Sequence, residues 1–166
     1  LVGFVLASLC AAFGVKSKLP AWTSVATIGA AFATTLALFL QYFTEGGHGG
    51  TLVVTAFDWI NLKWGPGPGQ ALHANFSLYL DSLTVLWMLF VTGLATLIAL
   101  YASEYMSHDV GAGYCRFFAA FCLFVFSMSC LVMADNLMLL YLGWEGVGLC
   151  SYLLIGYFYK KPSAVA

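Results

Sequence analysis

Leu137-Met138-Leu139-Leu140-Tyr141-Leu142-Gly143-Trp144-Glu145-Gly146-Val147-Gly148-Leu149-Cys150-Ser151-Tyr152-Leu153-Leu154-Ile155-Gly156-Tyr157-Phe158-Tyr159 holds one formally charged residue, Glu145, in a run that is otherwise uncharged and mostly apolar. As a helix this run would rise about 34 Å, enough to cross a hydrocarbon core of about 30 Å. Glu145 then stands about 12 Å from the outer end, well inside the hydrocarbon. An ionisable group at that depth costs about 2.5–3.5 kcal/mol on insertion scales for Asp, Lys or Arg, and such groups face a bundle interior or a wet cavity. A functional carboxyl is the default reading. A carboxyl kept neutral and hydrogen-bonded for packing alone is the alternative.

Working outward, further apolar runs fall at 1–15, 21–43, 79–102 and 117–134, and with 137–159 they make about five spans. The chain is 62% hydrophobic and 8% charged, against about a quarter charged in soluble domains, which excludes a water-soluble globule. Six Lys and Arg face seven Asp and Glu, a balance without the basic footprint that nucleic acid requires. The expected fold class is all-α: a polytopic transmembrane helix bundle with an extracytoplasmic β-hairpin, forming one unit over 1–166. The run 1–15 would rise only about 22 Å and reads as a span whose beginning lies upstream.

The cations orient the bundle. With the Lys16/Lys18 turn in the cytoplasm, alternation places residues 44–78 outside, 103–116 inside, the Asp135/Asn136 turn outside and Lys160/Lys161 inside. Lys16, Lys18, Arg116, Lys160 and Lys161 then face the cytoplasm and only Lys63 faces out, a positive-inside bias. All six cations are expected in loops, which leaves Glu145 without a buried counter-charge on these helices. Trp22, Trp59, Trp64, Tyr42, Tyr79, Tyr101, Tyr105 and Tyr159 fall near the inferred interfaces, where aromatic belts form.

The long outer connection opens with Glu45-Gly46-Gly47-His48-Gly49-Gly50 and continues into a hairpin over about 51–80. Leu72, Ala74, Phe76, Leu78 and Leu80 alternate with His73, Asn75, Ser77 and Tyr79, the period of a strand. Leu52 to Trp64 is rich in strand formers, and Gly65-Pro66-Gly67-Pro68-Gly69 supplies the turn. The hairpin belongs on the outer face, because an open sheet edge in lipid would leave backbone groups unpaired.

Phosphate loops, nucleophile elbows, dinucleotide glycine patterns and zinc spacings are absent from the sequence. Cys10, Cys122, Cys130 and Cys150 sit in apolar runs and Cys115 just before one, as small buried hydrophobes do. His48, His73 and His108 are scattered over three loops and read as surface residues, with no metal site expected. Gly143, Gly146 and Gly148 weaken the helix around Glu145 by about 1 kcal/mol each relative to Ala. They admit either a close neighbouring helix or a hydrated path to the carboxyl. Asp81 and Asp135 each precede an apolar run on the outer side, where an aspartate satisfies free N–H groups as an N-cap. Desolvation favours a neutral acid and a nearby ammonium favours the carboxylate, so a cation that approaches and withdraws would load and release a proton at Glu145.

The stretch Tyr141 to Gly156 closely resembles the antiporter-like membrane subunits of respiratory complex I, the subunit L or chain 5 family of NADH-quinone oxidoreductase. Tyr79-Leu80-Asp81-Ser82-Leu83-Thr84, Val91-Thr92-Gly93, Tyr101-Ala102-Ser103-Glu104-Tyr105-Met106, Arg116-Phe117-Phe118, Leu131-Val132-Met133-Ala134-Asp135-Asn136 and Phe57-Asp58-Trp59-Ile60 support it. The resemblance runs from about Phe57 to Tyr159, and before that it rests on hydropathy and order. It implies a long helical subunit with inverted five-helix repeats and half-channels that meet at buried lysines and a glutamate. Glu145 would match the glutamate of the fifth helix, whose partner lysine lies on a later helix, in a C-terminal remainder of the same subunit beyond Ala166. NADH, FMN, iron–sulfur clusters and quinone would belong to other subunits, with no cofactor on this chain. The implied partners are other complex I membrane subunits, the lipid bilayer and protons, with no nucleic acid. The implied location is a bacterial cytoplasmic or organellar inner membrane. The corresponding large subunit of the multi-subunit sodium/proton antiporters and membrane subunits of proton-pumping hydrogenases share the architecture, but the wording GWEGVGLCSYLLIG sides with complex I. A structural membrane module with an inert carboxyl is the reading from another class.

Overall fold

A computed structural model describes residues 1–44, 50–65, 71–109 and 111–159. The elements in chain order are α1 (Val2–Ala12), α2 (Leu19–Thr44), β1 (Leu52–Lys63), β2 (Ala71–Leu80), α3 (Ser82–Tyr105), α4 (Ala112–Val132) and α5 (Leu137–Ile155). Short 3-10 turns follow α3 (Met106–Asp109) and α5 (Gly156–Phe158). The glycine-rich lead before β1, the Pro-Gly tip of the hairpin, His48 and Lys160/Lys161 lie wholly or largely outside the described residues.

Four apolar helices reach spanning length: Leu19–Tyr42, Ser82–His108, Gly113–Val132 and Leu137–Phe158. Together with the two-stranded hairpin they give the polytopic helical membrane architecture the hydropathy predicts. The first apolar run differs: α1 has 11 residues, short of a span. Its stop is local. Gly14 adopts φ +63°, its N–H bonds the Ala11 carbonyl at 3.2 Å, and the Val15 N–H bonds the Cys10 carbonyl at 3.0 Å. That pair of bonds closes a helix on a left-handed glycine. Hydropathy, which continues to Val15, carries no trace of it.

The third span starts later than its hydropathy, because Tyr79 and Leu80 belong to β2 and Asp81 turns the chain. The Asp81 side chain accepts a hydrogen bond from the Thr84 N–H at 2.7 Å and caps α3, as expected. α4 starts earlier than its hydropathy, and Arg116, expected in a loop, lies on the helix.

α4 is the centre of the bundle, packed against α1, α2, α3 and α5. Its contacts are made by rings and small side chains. Tyr114 and Phe118 bury fully against Ala7, Ala21, Ala102 and Met106, while Phe121, Cys122 and Val125 meet Ile28, Ala95 and Ala99. Small residues at the crossings let backbones approach, which is how helices gain packing energy where lipid is as apolar as the protein. Hydroxyls inside the bundle are satisfied on their own helices: Ser24 donates to the Pro20 carbonyl at 2.7 Å, Thr92 to Met88 at 2.6 Å and Thr96 to Thr92 at 2.8 Å. Four of the five cysteines are buried and Cys10 is half-buried; all are free thiols.

β1 and β2 pair antiparallel from Leu52↔Leu80 to Lys63↔Ala71, with Phe57 stacked on Phe76 at 5.2 Å. The simple alternation of faces does not hold. The most buried positions of β2 are Ala74 and Ser77, three apart, on a ribbon whose register shifts between Thr55 and Phe57 and between Asp58 and Ile60. Such bulges add local twist and break a period of two.

The loops share ends as the charge pattern requires. At one end Lys18 Nζ donates to Glu104 Oε2 at 2.8 Å, joining the α1–α2 turn to the end of α3. At the other end the α4–α5 turn joins the hairpin: the Tyr79 N–H bonds the Met133 carbonyl at 2.8 Å, and Leu78 pairs with Ala134 as an isolated antiparallel bridge.

Two outcomes follow. With impermeant maleimide on intact cells, a cysteine placed at Lys63 is labelled and one placed at Lys16 is labelled only after permeabilisation; the reverse pattern would invert the topology. The Asp81 carboxyl is held below the ordinary aspartate range by hydrogen bonds from Thr84. Its capping contribution is therefore complete above the ordinary value of about 3.9 and fades as pH falls through the lower folded value. Asp81→Ala lowers stability at neutral pH by about 1 kcal/mol, read by thermal unfolding in detergent, whereas Asp81→Asn keeps most of it and loses the acid dependence.

Candidate functional site

α5 touches the bundle principally through α4. Its buried residues are Leu139, Gly143 and Cys150, a single stripe at helical spacing. The stripe exists because Gly143 has no side chain. A Cβ there would stand 2.6 Å from the Leu131 nitrogen and 2.8 Å from its Cα. One turn on, a Cβ at Gly146 would collide with Ser127 Oγ and approach Ser127 Cβ to 2.9 Å. Both glycines are therefore explained by close helix packing. Gly148 is different, with nothing within 4 Å of a Cβ built on it.

At 3.6 residues per turn Glu145 lies roughly 130° around α5 from that stripe. Its side chain is exposed in this chain rather than enclosed by the five helices. It stands at the edge of a groove of about 510 Å³ between α4 and α5, whose walls include Phe126, Ser127 and Cys130 on one side and Leu142, Gly146 and Leu149 on the other. Tyr141, one turn earlier on the same side, interacts with the Glu145 carboxylate through its phenol. The i, i+4 spacing of that tyrosine was available in the sequence. The nearness of Ser127 was not, because it depends on how α4 meets α5. Gly148 and the exposed Tyr152 continue the Glu145 face toward the inner end.

No cation of the described residues reaches this level. Arg116, on α4, is about 16 Å of helix rise from Ser127, which packs beside Gly146. Lys18 is paired with Glu104 at the inner end. Among the described residues no cluster of three or more His, Cys, Asp and Glu could hold a metal ion.

The supporting aspartates separate. Asp81 caps α3 at the outer surface. Asp135 does not cap α5, because Asn136 takes that place: its side-chain oxygen accepts from the Leu139 N–H at 3.0 Å. Asp135, one residue too early for the cap, instead accepts from the buried Ser77 hydroxyl at 2.8 Å. Neither aspartate stands beside Glu145 along the chain: Asp135 precedes it by about ten residues, or about 15 Å of helix.

Comparison with known proteins joins this geometry to a family. Residues 64–118 match the family described as NADH-ubiquinone oxidoreductase (complex I), chain 5 N-terminus. Residues 134–166, which include Glu145 and its glycines, match the NADH:quinone oxidoreductase/Mrp antiporter transmembrane family. The chain is 41% identical over 98% of its length to NADH-quinone oxidoreductase subunit L of Escherichia coli K12, covering 24% of that protein. It is 40% identical over 97% of its length to subunit L of Pseudomonas aeruginosa, covering 25% of it. Subunit L of Rhodobacter capsulatus is 36% identical over 98% of the chain, which covers 22% of that relative. The chain belongs to the subunit L/chain 5 family. It is a multi-pass integral membrane protein, and it spans about a quarter of the length of the curated subunit L relatives it matches. The family shared with Mrp antiporters covers the Glu145 helix, while the complex I chain 5 match covers the end of the hairpin and α3.

The α4–α5 contact makes a direct prediction. Gly143→Ala lowers stability by about 1–3 kcal/mol, because backbone atoms of Leu131 have nowhere to go. Gly148→Ala, into open space, leaves stability unchanged or raises it by up to about 1 kcal/mol. Thermal unfolding of the purified subunit reads both, and equal stability of the two variants would refute the contact.

Proposed function

We propose that this chain forms part of the proton-translocation path of an NADH:quinone oxidoreductase, with Glu145 as the carboxyl that loads and releases the proton. The observation that carries the proposal is one acid group at mid-span on α5, held by glycine packing at a defined rotation and without a counter-cation among the described residues. A carboxyl in that setting responds strongly to any cation brought near it, because desolvation and charge act on its proton affinity in opposite directions. Ser127 and Tyr141 add hydroxyls beside it, groups that both donate and accept and so suit a hydrogen-bonded path.

In this reading the exposed face of α5 receives further polypeptide of the subunit, which supplies the cation and completes the enclosure. The redox chemistry, with NADH, flavin, iron–sulfur clusters and quinone, takes place on other subunits, and neighbouring membrane subunits of the complex are the partners. The absence of dinucleotide and cluster-ligand motifs from the sequence and the similarity to subunit L support this division.

A structural role is the second reading. The fit of Gly143 and Gly146 against α4 favours it, since those glycines need no hydrated path to explain them.

In the assembled complex, Glu145→Gln and Glu145→Ala should each lower coupled proton transfer by about tenfold or more, at the low end of what a positioned proton-transfer group contributes, while leaving assembly intact. Vesicle proton uptake and quinone reduction at wild-type rates in both variants would leave only the structural reading.

A further inference from the structure

Asn136 makes two hydrogen bonds that join different parts of the molecule. Its side-chain oxygen accepts from the Leu139 N–H at 3.0 Å and caps α5. Its Nδ2 donates to the backbone carbonyl of Asn75, in the middle of β2, at 2.7 Å. Around it the α4–α5 turn lies along β2 as a fragment of third strand. The Tyr79 N–H bonds the Met133 carbonyl at 2.8 Å, Leu78 pairs with Ala134, the Asp135 N–H bonds the Ser77 carbonyl at 3.3 Å, and the Ser77 hydroxyl bonds the Asp135 carboxylate at 2.8 Å.

α5 needs such a hold. Among the long helices it has the narrowest attachment, leaning principally on α4 along one stripe. Glycines at that stripe fix how close the two helices come, but they offer little against sliding along or turning about the axis. A side chain that is at once the first cap of α5 and a donor to the hairpin backbone restrains both motions at the outer end. A helix transmits that restraint along its length, and Glu145 lies about nine residues, or about 13 Å, from Asn136.

We propose that Asn136, assisted by the Ser77–Asp135 bond, is a positioning residue for Glu145: the hairpin sets the axial place and rotation of α5, and through them the surroundings of the carboxyl. This rests on the proton-path reading of Glu145. It also gives the outer hairpin a role in the membrane interior that β1, exposed along nearly its whole length, does not suggest.

The test separates cap from tether. Asn136→Ser keeps an N-cap acceptor of similar quality and an uncharged side chain, but is too short to reach the Asn75 carbonyl. Ser77→Ala removes the second tie and leaves both caps intact. In the assembled, full-length complex, Asn136→Ser should retain thermal stability and subunit content while shifting the pH of half-maximal proton pumping by about half a unit, and Asn136→Ser with Ser77→Ala should shift it further. Loss of one neutral hydrogen bond corresponds to about a fivefold change in an equilibrium, which is the size expected for the population of the native α5 position. Ser77→Ala alone carries the same test if Asn136→Ser lowers assembly. Superimposable pH profiles for wild type and both tether variants, with Glu145→Gln impaired, would overturn the positioning role. An unimpaired Glu145→Gln would instead remove the proton-path reading beneath it.

Discussion

The contact of Gly143 with the backbone of Leu131 decides how α5 is presented. Between helices in lipid there is little hydrophobic drive, and close packing supplies what water would otherwise supply. Two glycines one turn apart bring α5 against α4, and everything else about α5 follows from that stripe: which residues are buried, which way Trp144 and Tyr152 point, and that Glu145 stands at the edge of the interhelical groove rather than on the packed line. The same scarcity of alternatives explains why the hydroxyls of Ser24, Thr92 and Thr96 bond their own helix carbonyls, since polar groups in hydrocarbon must find partners within the protein.

Much of the architecture was legible in the amino-acid order. Hydropathy located the four long helices, charge placed their loops at alternating ends, and Val, Thr and aromatic residues around a glycine–proline tip announced the hairpin. What hydropathy missed was set by backbone geometry. Gly14 ends α1 by a left-handed turn within an apolar run, and Tyr79 and Leu80, apolar enough for a span, are claimed by the sheet. Arg116 sits on α4 because a helix begins where its backbone bonds begin, not where its charges end.

The site was legible as a residue and not as a place. Glu145 is conspicuous in any reading of the sequence, but its direction depends on which face of α5 meets α4, and that choice is made by shape complementarity between two helices. Asp135 and Asn136 illustrate the same limit. Both are competent N-caps, and the structure gives the cap to Asn136 because Asp135 is drawn to Ser77 on the hairpin.

The account stands or falls on whether Glu145 changes its protonation during turnover. Infrared difference spectroscopy of the assembled complex, resting against NADH-driven, measures this with Glu145→Gln as the reference. A protonated-carboxyl band that changes between the two states and is missing from the Gln variant is the predicted result. A carboxyl signal from Glu145 that stays the same in both states would contradict the account.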